Sequence, residues 1–211
     1  MTQKLAIFPL QLVVFPGENL NLHIFEPRYR QLIKDAEENG ITFCIPTVIN
    51  GGLLPIATEV RLTEIVNKYP SGESDIRTVG ERVFFLEDYW KTYPEKLYPG
   101  GECRELLIDF NEDPNINGEI VNLTRAIYRE LNIDKTIRSV KDGFRTYDIA
   151  HYVGLKLEQE YELLTIRSAT ERQRFLLSHL INIKPELREG KSMQDRANLN
   201  GHFKELVPPK W

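Results

Sequence analysis

The spacing of apolar residues changes once along this chain, and that change restricts the fold more than any other feature of the sequence. Up to about residue 110, short runs of β-branched and aromatic residues are separated by proline and glycine, which is typical of β-strands joined by turns. From Pro114 onward the apolar residues recur every three or four positions, which predicts helices. Strands followed by helices, without alternation, predict an α+β fold.

Eight segments of the first half have the composition of short strands. They are LAIFPL, LVVF, LNLHIF, TFCIPTVI, IATEVRLTEIV, DIRTVG, RVFFLEDYW and CRELLIDF. In the fifth segment the alternation slips between Leu62 and Ile65, which indicates a bulge or a change of face. Because the connections are short, we expect an antiparallel barrel that is closed or partly closed.

A single helix interrupts the strands. It is predicted from Pro27 to Asn39, because proline is favoured at the first helical position and Gly40 stands just past the end. Its apolar side chains share one face at helical spacing, and we expect this face to be buried. The face consists of Tyr29, Leu32, Ile33 and Ala36.

The second half is predicted to contain several helices. The first has an apolar stripe made of Ile116, Ile120, Leu123, Ile127 and Leu131. Two further helical stretches meet near Gly154, and the pattern Ser168 to Glu171 is a capping box that opens a last helix. That helix turns Phe175, Leu176, Leu180 and Ile183 inward, and Pro185 stands near its end.

We therefore predict three parts: a β-rich unit at residues 1–112, a helical unit at residues 113–188 and an extended tail at residues 189–211. The tail has no sustained periodicity. Phe203 and Trp211 are the candidates for anchoring it to the same or to a neighbouring chain, so the tail is also a candidate for holding a homodimer together.

Charge and hydropathy exclude several classes of function. The net charge is −4, and no run of five or more lysines and arginines occurs, which argues against binding to nucleic acid or to anionic lipid. No apolar run approaches the roughly 20 residues of a membrane span. The N-terminus has no small-residue cleavage site behind a clean apolar core, so we expect a cytoplasmic protein.

No local motif for catalysis, a cofactor or a metal is found. The chain has neither a phosphate-binding loop of the G-x-x-x-x-G-K-[ST] type, nor C-x-x-C, nor a G-x-S-x-G turn around a serine nucleophile. The four histidines lack metal-ligand neighbours, and His23 is interpreted as a partly exposed strand residue. Cys44 lies in an apolar run and is expected to be buried. A hydrolase with dispersed catalytic residues stays open as an alternative.

The junction between the third segment and the predicted helix reads Phe-Glu-Pro-Arg-Tyr-Arg. Glu26 precedes Pro27, where a carboxylate can accept from free backbone N–H groups. Arg28 and Arg30 lie in the first turn, where the helix dipole disfavours cations, so each is expected to have a specific partner, with Glu26 the nearest. We interpret these four residues as a structural ion-pair motif. A ligand-facing role for Arg28 or Tyr29 is the alternative.

These residues belong to a longer pattern that resembles the opening of the Lon protease N-terminal domain, the LON substrate-binding domain. The pattern is a Phe-Pro-Leu strand, a Phe-Pro-Gly turn and then Leu-His-Ile-Phe-Glu-Pro-Arg-Tyr, here residues 8–10, 15–17 and 22–29. Residues 57–62 and 80–84 are similar to two later strands of the family. Here Ala57 replaces the family's glycine, and Val83 stands where arginine is usual.

Shorter similarities fall in the helical half, at residues 148–150, 162–164 and 171–172, so that the resemblance covers roughly residues 4–185. It implies a barrel-like lobe related to the PUA fold, followed by a helical lobe. It also implies a stand-alone module without the ATPase and Ser–Lys protease parts of the full enzyme. Such a module has no catalytic residues and no cofactor.

The function implied by the resemblance is binding of exposed or unfolded segments of other proteins. Two neighbourhoods are candidates for the contact, although core packing is the simpler explanation for Phe25 and cross-strand packing for the second group. The candidate residues are Phe15, Pro16 and Tyr29 in the first group and Tyr89, Trp90 and Tyr93 in the second. Two alternatives are a docking adaptor for a protease or another complex and an RNA-binding protein of the PUA type.

Overall fold

The structure, a computed structural model, describes residues 2–183 of the chain. The strands are β1 (Thr2–Ile7), β2 (Asn19–Ile24), β3 (Phe43–Ile49), β4 (Gly52–Lys68), β5 (Ser74–Trp90) and β6 (Gly100–Leu106). The α-helices are α1 (Pro27–Asn39), α2 (Pro114–Glu130), α3 (Leu157–Thr165) and α4 (Ala169–Ile183). Two 3₁₀ helices, Val140–Asp142 and Thr146–Tyr152, lie between α2 and α3. The predicted α+β class is confirmed.

The described chain divides between Leu107 and Ile108 into two compact units, which we call the β unit and the helical unit. The predicted tail, with Phe203 and Trp211, lies outside the described residues. None of the helices within residues 2–183 is long and apolar enough to cross a membrane.

The strands of the β unit close on themselves, as the sequence predicted. The sheet order is β2-β5-β4-β3-β1-β6, and β6 pairs back onto the second half of β5, which makes a ring of five strands. One pairing differs from the antiparallel prediction: β1 and β3 run parallel, with Ala6 opposite Phe43 and Ile7 opposite Cys44. Parallel pairing is available there because the intervening segment contains α1, which supplies the crossover.

Two of the predicted strands differ in the structure. Residues 12–15 are apolar and buried, as expected, but they do not form a strand. Their backbone is not paired in a β-ladder. Instead, the Thr58 hydroxyl donates to the carbonyl of Val14, and the amide of Phe15 donates to the Glu18 carboxylate. The predicted segments at 75–80 and 82–90 form the single long strand β5, which passes through Gly80 without a break.

The β unit has two apolar layers. The interior of the barrel contains both cysteines, which are fully buried as free thiols, so the prediction for Cys44 is confirmed. With them lie Leu5, Ile7, Ala57, Phe84 and Leu86. The second layer joins one face of the sheet to α1, and Phe8 stacks on Tyr29 there with ring centroids 4.0 Å apart.

The helix α1 has the predicted bounds. It begins at Pro27 and ends before Gly40, whose left-handed φ of 66° lets its N–H bond to the carbonyl of Ala36. The predicted inner face is buried as a whole, namely Tyr29, Leu32, Ile33 and Ala36. This helix is therefore specified by local signals at both ends and by its apolar face.

In the helical unit the buried faces are more polar than predicted. Helix α2 buries Asn117 and Thr124 beside Ile120 and Ile127, whereas Ile116 and Leu123 are only half-buried. Helix α4 begins after Ser168, whose hydroxyl accepts from the amide of Glu171 at 3.4 Å. This helix buries Leu176 and Leu180 as expected, leaves Phe175 and Ile183 half-buried, and also buries Arg172 and Gln173 completely.

Candidate functional site

Two arginines hold the strand–helix junction, one by an ion pair within the junction and the other by a hydrogen bond to a distant turn. Arg28 donates from Nε to the Glu26 carboxylate at 2.9 Å, and its guanidinium lies over the ring of Tyr29 at 4.6 Å. Arg30 instead reaches the turn between β4 and β5, where it donates to the carbonyl of Ser71 at 2.8 Å. Glu26 makes no side-chain cap to the backbone of α1, because its carboxylate is used by Arg28.

A hydrogen-bond network that the sequence did not reveal lies beside this junction. The carboxylate of Asp75, which is only 5% exposed, contacts His23 Nδ1 at 2.7 Å. The same carboxylate accepts from Tyr69 at 2.6 Å and from Asn67 at 3.0 Å. These groups join β2, β4 and β5, so His23 has an orienting partner 52 residues away. The network explains how the Asp75 carboxylate can be buried, because each of its oxygens has a hydrogen-bond partner.

The first group of sequence candidates is buried. Phe15 is 1% exposed, Tyr29 is 2% exposed, and Pro16 is also buried. Their side chains pack inside the β unit, so in this conformation they offer no surface to a polypeptide. Tyr29 lies on the buried face of α1 and stacks on Phe8 in the layer between the helix and the sheet, which a one-dimensional motif does not display. Phe25 is half-buried.

The second group is divided between two layers. Tyr89, Trp90 and Tyr93 are all half-buried. Tyr89 packs against the barrel interior, whereas Tyr93 packs against the layer under α1. Trp90 stands next to Tyr93 in an edge-to-face arrangement with centroids 6.2 Å apart. Alternation along β5 separates Tyr89 from Trp90, so only Trp90 and Tyr93 belong to one surface.

The loop that follows β5 is tied to α1. The Asp35 carboxylate accepts from Lys96 Nζ and from the Tyr98 hydroxyl, each at 2.7 Å. The amide of Leu97 donates to Gln31 at 2.7 Å. These anchors hold the side chain of Leu97 in solvent, where it is 59% exposed. A fixed loop with an exposed leucine is a suitable edge for a binding surface.

Between this loop, α1 and the first strand lies a cavity of about 410 Å³. We call it the aromatic cleft. Its apolar lining includes Leu5, Ala6, Ile41, Tyr93 and Tyr98, and its polar lining includes Lys4, Asp35, Asn39, Thr42 and Lys96. Trp90 adjoins it through Tyr93 and through Lys4, whose ammonium lies 5.6 Å from the indole ring. A few polar groups around an apolar floor are the usual character of a ligand site.

The ion pair at the cleft makes the loop sensitive to acid. Burial raises the pKa of Asp35, but the hydrogen bonds from Lys96 and Tyr98 outweigh this effect and leave the pKa lowered. Because the pKa of Asp35 is lower in the folded than in the unfolded state, its ionised form stabilises the folded protein at any pH above the unfolded-state pKa. This stabilisation is lost as the pH falls through the folded-state pKa.

We therefore expect Asp35→Asn to melt at a lower temperature than the unmodified chain at neutral pH, and the difference to shrink below about pH 4. Thermal melts of both proteins at several pH values measure this difference. A gap that stays constant from neutral to acid pH would contradict the assignment.

Two other cavities among residues 2–183 are less suited to a ligand. One, of about 440 Å³, lies between α1 and the tip of β4 and β5, and its charged walls are already paired, for example Lys68 with Glu37 at 2.7 Å. The other, of about 510 Å³, is in the helical unit beside Phe175 and His179. There the ring of His179 bonds to the carbonyl of Val153 at 2.8 Å. Within the described residues no group of three histidine, cysteine, aspartate or glutamate side chains could hold a metal ion.

The sequence indicated Tyr93 and the adjoining Trp90, but not the other residues of the cleft. Lys4, Ile41 and Tyr98 come from three separate parts of the chain. The only local signal was the two Tyr-Pro pairs at residues 93–94 and 98–99, which mark a structured loop but not a cavity.

Comparison with known proteins identifies the family. Residues 4–182 match the ATP-dependent protease La (LON) substrate-binding domain. A Lon N-terminal domain protein from Xanthomonas campestris has a similar structure, with a TM-score of 0.64 and 24% identity, over 83% of this chain and 98% of that one. The N-terminal domain of the Mycobacterium avium complex Lon protease has a TM-score of 0.64 and 16% identity, over 85% of this chain and 99% of that one.

No curated protein matches the chain. The two structural similarities establish the fold, and the match over residues 4–182 establishes the family and supports a substrate-recognition module. The chain belongs to the family of LON substrate-binding domains.

Proposed function

We propose that this chain binds exposed or unfolded polypeptide segments in the aromatic cleft and performs no catalysis itself. The observation that carries the proposal is the half-buried ring of Tyr93 above the apolar lining of the cleft, with Trp90 packed edge-to-face on Tyr93. Aromatic side chains supply large contact areas at small entropic cost, and such residues dominate the energy of protein recognition. Membership of the family of LON substrate-binding domains also supports a role in polypeptide binding.

The proposal is supported by how rigidly the cleft is built. Gly100 lies under Tyr93 and Trp90, and a Cβ atom there would come within 2.3 Å of the Tyr93 ring. Asp35 on α1 holds the loop through its hydrogen bonds from Lys96 and Tyr98. The Trp90 indole donates to the Asp88 carboxylate at 2.7 Å. A preformed surface loses little entropy on binding, which favours affinity for a flexible partner.

The charged residues of the cleft support a binding role rather than a catalytic one. Asp35 is engaged by Lys96 and Tyr98, so it is not available as a base.

We propose the cytoplasm as the location and unfolded proteins as the partners. Docking onto a protease is the related proposal, in which the same surface holds a segment of another complex.

The first test is fluorescence anisotropy of a labelled, permanently unfolded protein titrated with the full chain. We expect saturable binding to the unfolded form and none to the same protein in its folded form or to single-stranded RNA. Tyr93→Ala is expected to weaken binding by about tenfold, because truncation of an interface aromatic typically costs more than 1 kcal/mol. Trp90→Ala is expected to act in the same direction.

The control is Leu107→Ala, which removes an exposed apolar side chain on a different part of the β unit. Circular dichroism of each variant verifies that it is folded. Equal loss of binding in Leu107→Ala and Tyr93→Ala would remove the aromatic cleft as the site. Binding to RNA with a steep dependence on salt would favour nucleic acid as the partner instead.

A further inference from the structure

The aromatic cleft lies where a pair of strands separates. The parallel ladder between β1 and β3 comprises Ala6 with Phe43 and Ile7 with Cys44, and it has no pair before Ala6. In the residues before this point, Lys4 and Leu5 line one side of the cleft, and residues 39–42 line the other side. On its opposite edge β1 remains paired with β6 from Thr2 to Ala6. The cleft is therefore a gap in the sheet, and one of its walls is a strand edge.

The backbone of that edge is directed into the gap. The amide of Ile7 donates to Pro99, on the β6 side, and the amide of Phe8 donates to Cys44, on the β3 side. Because neighbouring residues of a strand direct their N–H and C=O groups to opposite sides, the even-numbered residues face β3. Lys4 therefore directs both backbone groups toward the cleft. Among residues 2–183, no strand pairs with Lys4 on this side.

The occupant that satisfies such an edge is an extended polypeptide. An extended peptide presents one N–H and one C=O group on the same edge at every second residue, which is also the repeat of the β1 edge. Peptides that add to open sheets form their hydrogen bonds in this way. An aromatic wall provides a place for one side chain of the occupant, since the half-buried ring of Tyr93 lines the same gap. A compact small molecule does not match this alternation of donors and acceptors.

The charge of the cleft indicates the side chains of the occupant. Lys96 is neutralised by Asp35 at 2.7 Å. Lys4 faces the ring of Trp90, and no carboxylate within the described residues lies within 4.0 Å of its ammonium. The residue opposite Lys4 on β6 is Glu102, whose carboxylate also lies farther than 4.0 Å from the ammonium. A carboxylate on the occupant complements it.

We infer that the cleft binds its polypeptide by strand addition to the β1 edge at Lys4, and that it prefers a segment in which an aromatic residue and a carboxylate are two positions apart. The spacing of two places both side chains on the face toward the cleft. This inference rests on the proposed function and specifies the mode of binding and the class of segment.

The test uses the full chain and three fluorescein-labelled peptides of about ten residues. The parent has the core Thr-Val-Phe-Thr-Asp-Val-Thr, the second replaces Asp by Asn, and the third carries N-methyl groups on the backbone nitrogens that flank the Phe. The parent is expected to bind. Methylation is expected to weaken binding about tenfold, because it removes ladder hydrogen bonds and blocks close approach. The Asn peptide is expected to bind about threefold more weakly, as for an exposed ion pair.

A double-mutant cycle assigns the charge to Lys4. In Lys4→Gln the parent and the Asn peptide are expected to bind equally, whereas in Lys141→Gln, a matched loss of an exposed lysine in the helical unit, the threefold preference is expected to remain. Light scattering of the same samples reports the oligomeric state.

Each other outcome overturns the inference. Equal binding of all three peptides leaves the proposed function intact but removes strand addition and the charge preference. Failure of the peptides while the unfolded protein still binds places recognition outside this cleft. Failure of both removes the proposed function as well. A dimer that Lys4→Gln converts to monomers would show that a second copy of the chain occupies the edge.

Discussion

Arg172→Met is expected to lower the free energy of unfolding by about 3–5 kcal/mol, the usual cost of removing one partner from a buried charged pair. Arg172 is 0% exposed, and its guanidinium donates to the carbonyls of Ile166, Arg167 and Asp109. It also lies 3.8 Å from the buried carboxylate of Glu112. Methionine fills a similar volume but leaves three carbonyls without donors and one carboxylate without its cation.

The effect is measured by urea unfolding of the full chain followed by circular dichroism. Arg174→Met is the matched control, since Arg174 is exposed on the same helix, and it is expected to change stability by less than about 0.5 kcal/mol. Equal unfolding midpoints for the two variants would show that the buried guanidinium does not stabilise the helical unit.

Gly80→Ala is expected to destabilise the chain by about 2–3 kcal/mol, because it overpacks a site with no free space. A Cβ atom at Gly80 would lie 2.3 Å from the backbone oxygen of Phe15 and 3.2 Å from the Val14 side chain. The backbone of Gly80 also bonds to the same segment, from its N–H to the carbonyl of Glu18. Neither the strand nor the segment can move without the loss of these contacts.

Gly118→Ala is the control with the opposite expected sign. Gly118 lies within α2, and a Cβ atom there would meet nothing within 4 Å. Alanine in a helix interior is favoured over glycine, so this variant is expected to gain up to about 1 kcal/mol. Thermal melts of both variants provide the comparison. A Gly80→Ala protein that melts at or above the temperature of the unmodified chain would contradict the close-packing argument.

Features encoded by neighbouring residues were predicted correctly. Pro27 and Gly40 delimit α1, and the buried face between them follows from helical spacing. The change from strands to helices likewise follows from periodicity, and the family follows from an ordered motif of about twenty residues. The segment at residues 12–15 shows the limit of this reasoning, because a fully apolar run is compatible with a buried strand and with a buried loop.

Features that depend on distant residues were not predictable in the same way. Asp75 is buried because His23, Asn67 and Tyr69 surround it, and Arg172 is buried because carbonyls up to 63 residues away accept its hydrogen bonds. The family motif placed Phe15 and Tyr29 among the candidates for binding, yet both belong to the core. Whether an aromatic residue is available to a partner depends on what else packs against it.

The sequence by itself determined the α+β class, the position of α1 and the family, because periodicity, helix caps and ordered motifs act over short stretches of chain. Only the tertiary structure decided which aromatic residues surround a cleft, that Tyr89 faces away from Trp90, and that the β1 edge opens at Lys4. These properties arise where segments far apart in sequence meet or separate, and no local pattern records the distance between them.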